Sequence, residues 1–139
     1  MEQLVRDLSH HDDVTISVTT GTEHFRKGLV KLSIGGDGSL TITNHRAGER
    51  RDYPGKLTRE EVEKLGQEFA AAGFTTLRSP GPPREPGDSP VVLEITRAGE
   101  QRYQAELWYG DRETLPGVDV IIRRFDAIVE RVTDGELPY

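Results

Sequence analysis

The order of hydrophobic periods along this chain constrains its fold more than any single motif does. Three stretches of period two come first, a capped helical stretch follows, then two more strands, then a second helix. Val14, Ile16 and Val18 alternate with threonine and serine, the pattern of a half-buried strand built from β-branched side chains. Val30, Leu32 and Ile34 repeat it, and Leu40 and Ile42 continue beyond Gly35-Gly36-Asp37-Gly38. Those glycines tolerate the positive φ of a tight turn, so residues 29 to 44 read as a hairpin.

The first long helix is signed at both ends. Thr58 and Glu61 stand at the spacing of a reciprocal capping box. Val62, Leu65, Phe69 and Ala72 then fall on one face, with Gly73 at the left-handed C-terminal position and Phe74 beyond it. Residues 79 to 90 hold five of the eight prolines and predict an exposed, stiff loop. Val91, Leu93 and Ile95, the Ala98-Gly99 turn, and Tyr103, Ala105, Leu107 and Tyr109 form a second hairpin. Val118, Ile121, Ile122, Phe125, Ile128, Val129 and Val132 recur at spacings of three and four. They predict a helix from about Leu115 to Thr133, with Pro116 suited to its start and Gly135 to its end.

These elements predict one α+β domain over residues 1–139. The expected core is a single antiparallel sheet of about five strands with two helices on one face, in the order βββ-α-ββ-α. Residues 1–12 form an N-terminal arm, helical through Leu4, Val5 and Leu8. No internal repeat is read beyond the echo of hairpin then helix.

Composition narrows the chemistry. A length of 139 residues suffices for one core without staples. The absence of cysteine removes disulfides, thiolate zinc sites and cysteine nucleophiles together. No segment approaches the roughly 20 apolar residues that span a bilayer, and the N-terminus lacks the apolar core of a secretory signal. The expectation is therefore a cytoplasmic protein without a membrane partner. A net charge of −6 argues against a nucleic-acid partner, because polyanions need a concentrated positive face.

His10-His11-Asp12-Asp13 is the one dense group of metal-capable side chains. Neighbours in a strand point to opposite faces, so closing on an ion would need His24 or His45 as well. The segment reads as a solvated strand entry, and no metal or cofactor is expected. Asp37 lacks the spaced carboxylates of a calcium loop. Its glycines precede no lysine–serine or lysine–threonine pair, so they make no phosphate loop. The serines at 9, 17, 33, 39, 79 and 89 occupy no nucleophile elbow. Carboxylates are plentiful, but nothing marks a pair for acid–base work. No catalytic residue is assigned, and the chain is not expected to be an enzyme.

Arginine and aromatic side chains suggest contact with another protein. Arg46, Arg50 and Arg51 precede Tyr53, Arg78 borders the proline loop and Arg84 lies in it. Arginine and tyrosine combine apolar area with directional donors and are enriched at interfaces. Ion pairing on a charged surface is the competing role. By the phase of Tyr103, Ala105 and Leu107, Trp108 lies on the opposite sheet face with Gln104 and Glu106. An outward tryptophan on an uncovered face is a binding anchor; strand twist or the N-terminal arm burying it is the alternative. The candidate partner-contact residues are Trp108, Tyr53, Arg50, Arg51 and Arg84.

The run Leu57-Thr58-Arg59-Glu60-Glu61, then Leu65, Phe69, Gly73-Phe74 and Leu77, then the Pro/Gly loop, hairpin and last amphipathic helix, resembles small bacterial α+β proteins. Among them it is similar to the emfourin group, protein inhibitors of thermolysin-like metalloproteases, over about residues 28 to 132. The resemblance implies an inhibitor, and it assigns no functional residue. Two expectations follow. One is a non-enzymatic binding or regulatory module, monomeric or paired through a sheet edge. The other is a small ligand-binding domain or enzyme with a cavity between sheet and helices.

Overall fold

The computed structural model describes residues 2–22, 28–79, 81 and 88–134. Arg84, His24 and most of the proline loop lie outside them. The chain is an α+β structure, and the described residues form one antiparallel sheet of six strands and three α-helices. Helix α1 (Glu2–Arg6) and a 3₁₀ turn at Leu8–His10 lead into β1 (Val14–Thr20), β2 (Leu29–Gly35), β3 (Ser39–Arg46) and β4 (Glu49–Lys56). Helix α2 (Arg59–Ala71) follows, then β5 (Pro90–Arg97), β6 (Glu100–Trp108), a 3₁₀ turn at Tyr109–Glu113 and α3 (Pro116–Thr133).

The expected count of about five strands becomes six because β4 carries no periodic strand signal in the sequence. Its sequence, Glu49-Arg50-Arg51-Asp52-Tyr53-Pro54-Gly55-Lys56, has no apolar alternation, and only Tyr53 among its side chains packs against the core. It forms because β3 offers an open ladder and Ala47-Gly48 makes a two-residue turn with φ of 51° and 81°. Positive φ at both turn residues matches the twist of the joined strands. The third helix is α1, a single turn within the expected arm.

The strand order is β4-β3-β2-β1-β5-β6. Each outer hairpin turns on the same tetrapeptide, Arg46-Ala47-Gly48-Glu49 in one and Arg97-Ala98-Gly99-Glu100 in the other. Each hairpin flanks one of the two central strands and leads to a long helix. The sheet is thus quasi-symmetric about the β1–β2 pair. The echo of hairpin then helix in the sequence has this structural content.

Val14, Ile16 and Val18, with Val30, Leu32, Ile34, Leu40, Ile42, Val91, Leu93, Ile95, Ala105 and Leu107, turn to one face and are buried. Val5, Leu8, Val62, Leu65, Phe69, Val118, Ile121, Ile122, Phe125 and Val129 close the same core from the helical side. Phe69 stacks on Phe74 at 5.5 Å between ring centroids, so the residue beyond the α2 C-terminus packs back on the helix as expected. Glycine lets α3 begin against the end of α2: a Cβ on Gly117 would stand 2.0 Å from the Ala72 carbonyl oxygen.

Candidate interaction surface

Among the described residues the helices pack on one side of the sheet, and the other face carries strand side chains. The register sets them in rows. One row runs Asp52, Thr43, Lys31, Thr19, Val92, Glu106, and the next Pro54, Thr41, Ser33, Ser17, Glu94, Gln104. Ser17 and Ser33 share a hydrogen bond of 3.2 Å at the centre, and Lys31 reaches Glu94 at 3.8 Å. This face is polar, as an antiparallel sheet covered on one side permits.

One corner departs from that polarity. Trp108 lies opposite Pro90, and Val92 and Leu29 stand on the same face. All four are half-buried, and none packs against the main core. By register Trp108, Pro90 and Val92 are neighbours, and Leu29 lies on the same face two strands from Pro90. Two carboxylates fix the backbone beneath Trp108. Asp111, only 3% exposed, accepts the Trp108 N–H through Oδ2 at 2.9 Å. Asp88 Oδ1 accepts the N–H groups of Gly110 at 3.1 Å and Ser89 at 2.9 Å. Next along the chain, Arg112 lies 4.9 Å from the Tyr109 ring centroid and binds Asp119 through Nε at 2.8 Å. The Arg112 guanidinium holds Asp119 below the usual carboxylate range. The tryptophan is therefore presented from a braced turn.

The other sequence candidates are scattered. Arg50 is on the uncovered face but on β4, opposite His45, at the far end of the row that holds Leu29. Five strand spacings separate β4 from β6, about 24 Å. Arg50 Nε binds Asp52 at 3.1 Å and depresses that carboxyl. Arg51 is exposed but takes the helix-side register, opposite Asn44. Tyr53 also turns inward, opposite Ile42, and packs against the core with its hydroxyl buried. Strand alternation thus puts Tyr53 and Trp108 on opposite faces of the sheet. Leu29 and Val92 escaped the sequence reading. Their signal was doubled apolar residues, Leu29-Val30 and Val91-Val92-Leu93, which place apolar groups on both faces at once.

The metal-capable segment at the strand entry is splayed. His10 Nδ1 lies 3.4 Å from Arg59, whereas Asp13 binds Arg97 at 3.1 Å. Among the described residues, no group of three or more histidine or carboxylate side chains could hold a metal ion. A groove of about 180 Å³ opens beside α2 and α3, lined by Leu57, Leu65 and Ile128 with Glu61, Lys64, Arg124 and Arg131. Arg131 binds Glu61 at 2.6 Å and Arg124 binds Glu68 at 2.7 Å, so these charges clamp the helices together. Among the described residues, no helix is long and apolar enough to cross a membrane.

Neither the models of known families nor the curated proteins compared with this chain gave a match.

Proposed function

We propose that this chain is a non-enzymatic protein-binding module, a regulator or protease inhibitor, and that its contact surface is the Trp108 corner of the uncovered sheet face. The observation that carries this reading is half-buried Trp108 beside Pro90 and Val92 on the sheet face away from the helices, outside the core and braced by Asp111 and Asp88. A rigid aromatic with a fixed backbone loses little freedom on docking, which favours affinity. The inward strand positions are almost wholly apolar, which argues against the alternative of a reactive cavity between sheet and helices.

Resemblance to emfourins makes thermolysin-like metalloproteases the first partners to assay. Trp108 is the single tryptophan, so its fluorescence reports directly on the proposed surface. The expected result is protease inhibition with a change in Trp108 emission. Trp108→Ala should weaken the complex at least tenfold, about 1.4 kcal/mol or more, as for a buried interface anchor. Inhibition undiminished in Trp108→Ala would move the contact surface elsewhere. No inhibition of any such protease would remove the inhibitor reading.

A further inference from the structure

We propose that two copies of this chain join through β6, edge to edge and antiparallel, about a two-fold axis at Ala105. The two sheet edges offer different backbone groups. In an antiparallel ladder, alternate residues turn their N–H and C=O toward the partner strand and the others turn theirs away. Leu57 donates to Gly38 across the β4 side at 2.8 Å. Counting back by twos, Gly55, Tyr53 and Arg51 face β3, while Lys56, Pro54, Asp52 and Arg50 face outward. Pro54 has no N–H to offer, so the middle of the β4 edge is closed to another strand.

The β6 edge is different. Tyr109 donates to Ser89 at 2.7 Å, so Leu107, Ala105 and Tyr103 face β5. Trp108, Glu106 and Gln104 face outward. The Trp108 N–H is already taken by Asp111, and a register shift at Ile95/Thr96 interrupts regular pairing beyond Tyr103. Among the described residues, what remains open is a window with Gln104 and Glu106 on either side of Ala105, both exposed.

This window fits a second copy of itself. With the axis at Ala105, Gln104 of each copy stands opposite Glu106 of the other, and the pair exchanges both backbone bonds. The amide side chain of Gln104 can donate to the Glu106 carboxylate twice over. On the helix side, Tyr103 meets Leu107 of the other copy, covering an aromatic ring that is half-exposed in one copy alone. Moving the axis to Glu106 would oppose two carboxylates. Moving it to Gln104 would place Glu106 against Arg102 at the interrupted end. The two uncovered faces become one continuous surface, so this inference stands independently of which protein the Trp108 corner binds.

The contact is shorter than a standard interface, so the expected dimer is weak, with a dissociation constant on the order of 100 µM. Sedimentation equilibrium of the whole chain from about 10 µM to about 1 mM should show mass rising toward a dimer. Glu106→Pro deletes an outward donor that the single chain does not use, the same arrangement β4 tolerates at Pro54, and should raise the dissociation constant at least tenfold. Circular dichroism verifies that this variant folds. Because the chain has no cysteine, Ala105→Cys supplies an independent readout. Its two thiols would sit across a non-hydrogen-bonded pair, Cα atoms about 4.5 Å apart, within disulfide range. Mild oxidation should cross-link Ala105→Cys and leave Asp52→Cys on β4 monomeric. A monomer at every concentration with no cross-link at position 105 would overturn the proposal. So would a dimer that persists in folded Glu106→Pro, or equal cross-linking of Asp52→Cys.

Discussion

Glu61 serves two masters at the α2 N-terminus. Its backbone N–H donates to Thr58 Oγ1 at 3.1 Å, and its Oε1 accepts the Thr58 N–H at 3.0 Å, completing the capping box. Its other oxygen binds Arg131 at 2.6 Å, seventy positions along the chain. Arg131 first, then the Thr58 amide, lower its pKa from 4.5 to about 2. Because the folded value is the lower one, the unfolded chain binds more protons in acid. The contribution is present above about pH 4.5 and is lost as pH falls toward 2. The side chain is 37% exposed, so solvent screening limits the ion pair to about 1 kcal/mol or less. Glu61→Gln preserves the capping geometry and removes the charge; urea titrations should find it less stable than the parent at pH 6 and nearly equal at pH 2. The box was legible in the sequence because capping is local over four residues. Arg131 was not, since only the packing of α3 beside α2 brings it there. Gly66 makes the same point. Inside a helix, glycine to alanine ordinarily stabilises by about 1 kcal/mol. Here a Cβ would stand 2.4 Å from the Val5 carbonyl oxygen, so Gly66→Ala should instead lower the melting temperature by displacing α1.

Among the elements, the two long helices and β1, β2, β3, β5 and β6 were readable because their core-facing residues keep one period. Strand β4 was not, since an edge strand needs few buried side chains and Pro54 reads as a loop residue. A signal was nevertheless present. The tetrapeptide Arg-Ala-Gly-Glu that turns β5 into β6 also stands between β3 and β4, and recognising the repeat would have revealed the hairpin. Tyr53 carries the cost of this strand's placement. Among the described residues its buried hydroxyl has no hydrogen-bond partner, whereas the ring packs on the core. Removing a buried, unsatisfied polar group is favourable, so Tyr53→Phe should raise stability by about 1 kcal/mol in thermal or urea unfolding. A loss of comparable size would mean that the hydroxyl is engaged in solution.

At the scale of the whole molecule, one face of the sheet is committed to the core and the other carries mainly polar strand side chains. This division predicts unequal costs for truncating aromatics. Phe125, fully buried between α3 and the sheet, should cost about 3–5 kcal/mol as Phe125→Ala. Trp108→Ala should cost about 1 kcal/mol, because the ring is only half-buried and lies outside the core. Melting curves of the two variants distinguish a core role from a surface one. The sequence by itself determined the α+β class, the antiparallel hairpins, the capped α2, the apolar stripe of α3 and the outward phase of Trp108. Each depends on residues a few positions apart, where backbone geometry alone relates one side chain to the next. Only the tertiary structure decided the sixth strand, the sheet order, the inward turn of Tyr53 and the placement of Trp108 beside Pro90 and Val92. Those depend on register between distant segments, and register is settled by burying every strand's apolar face in one core at once.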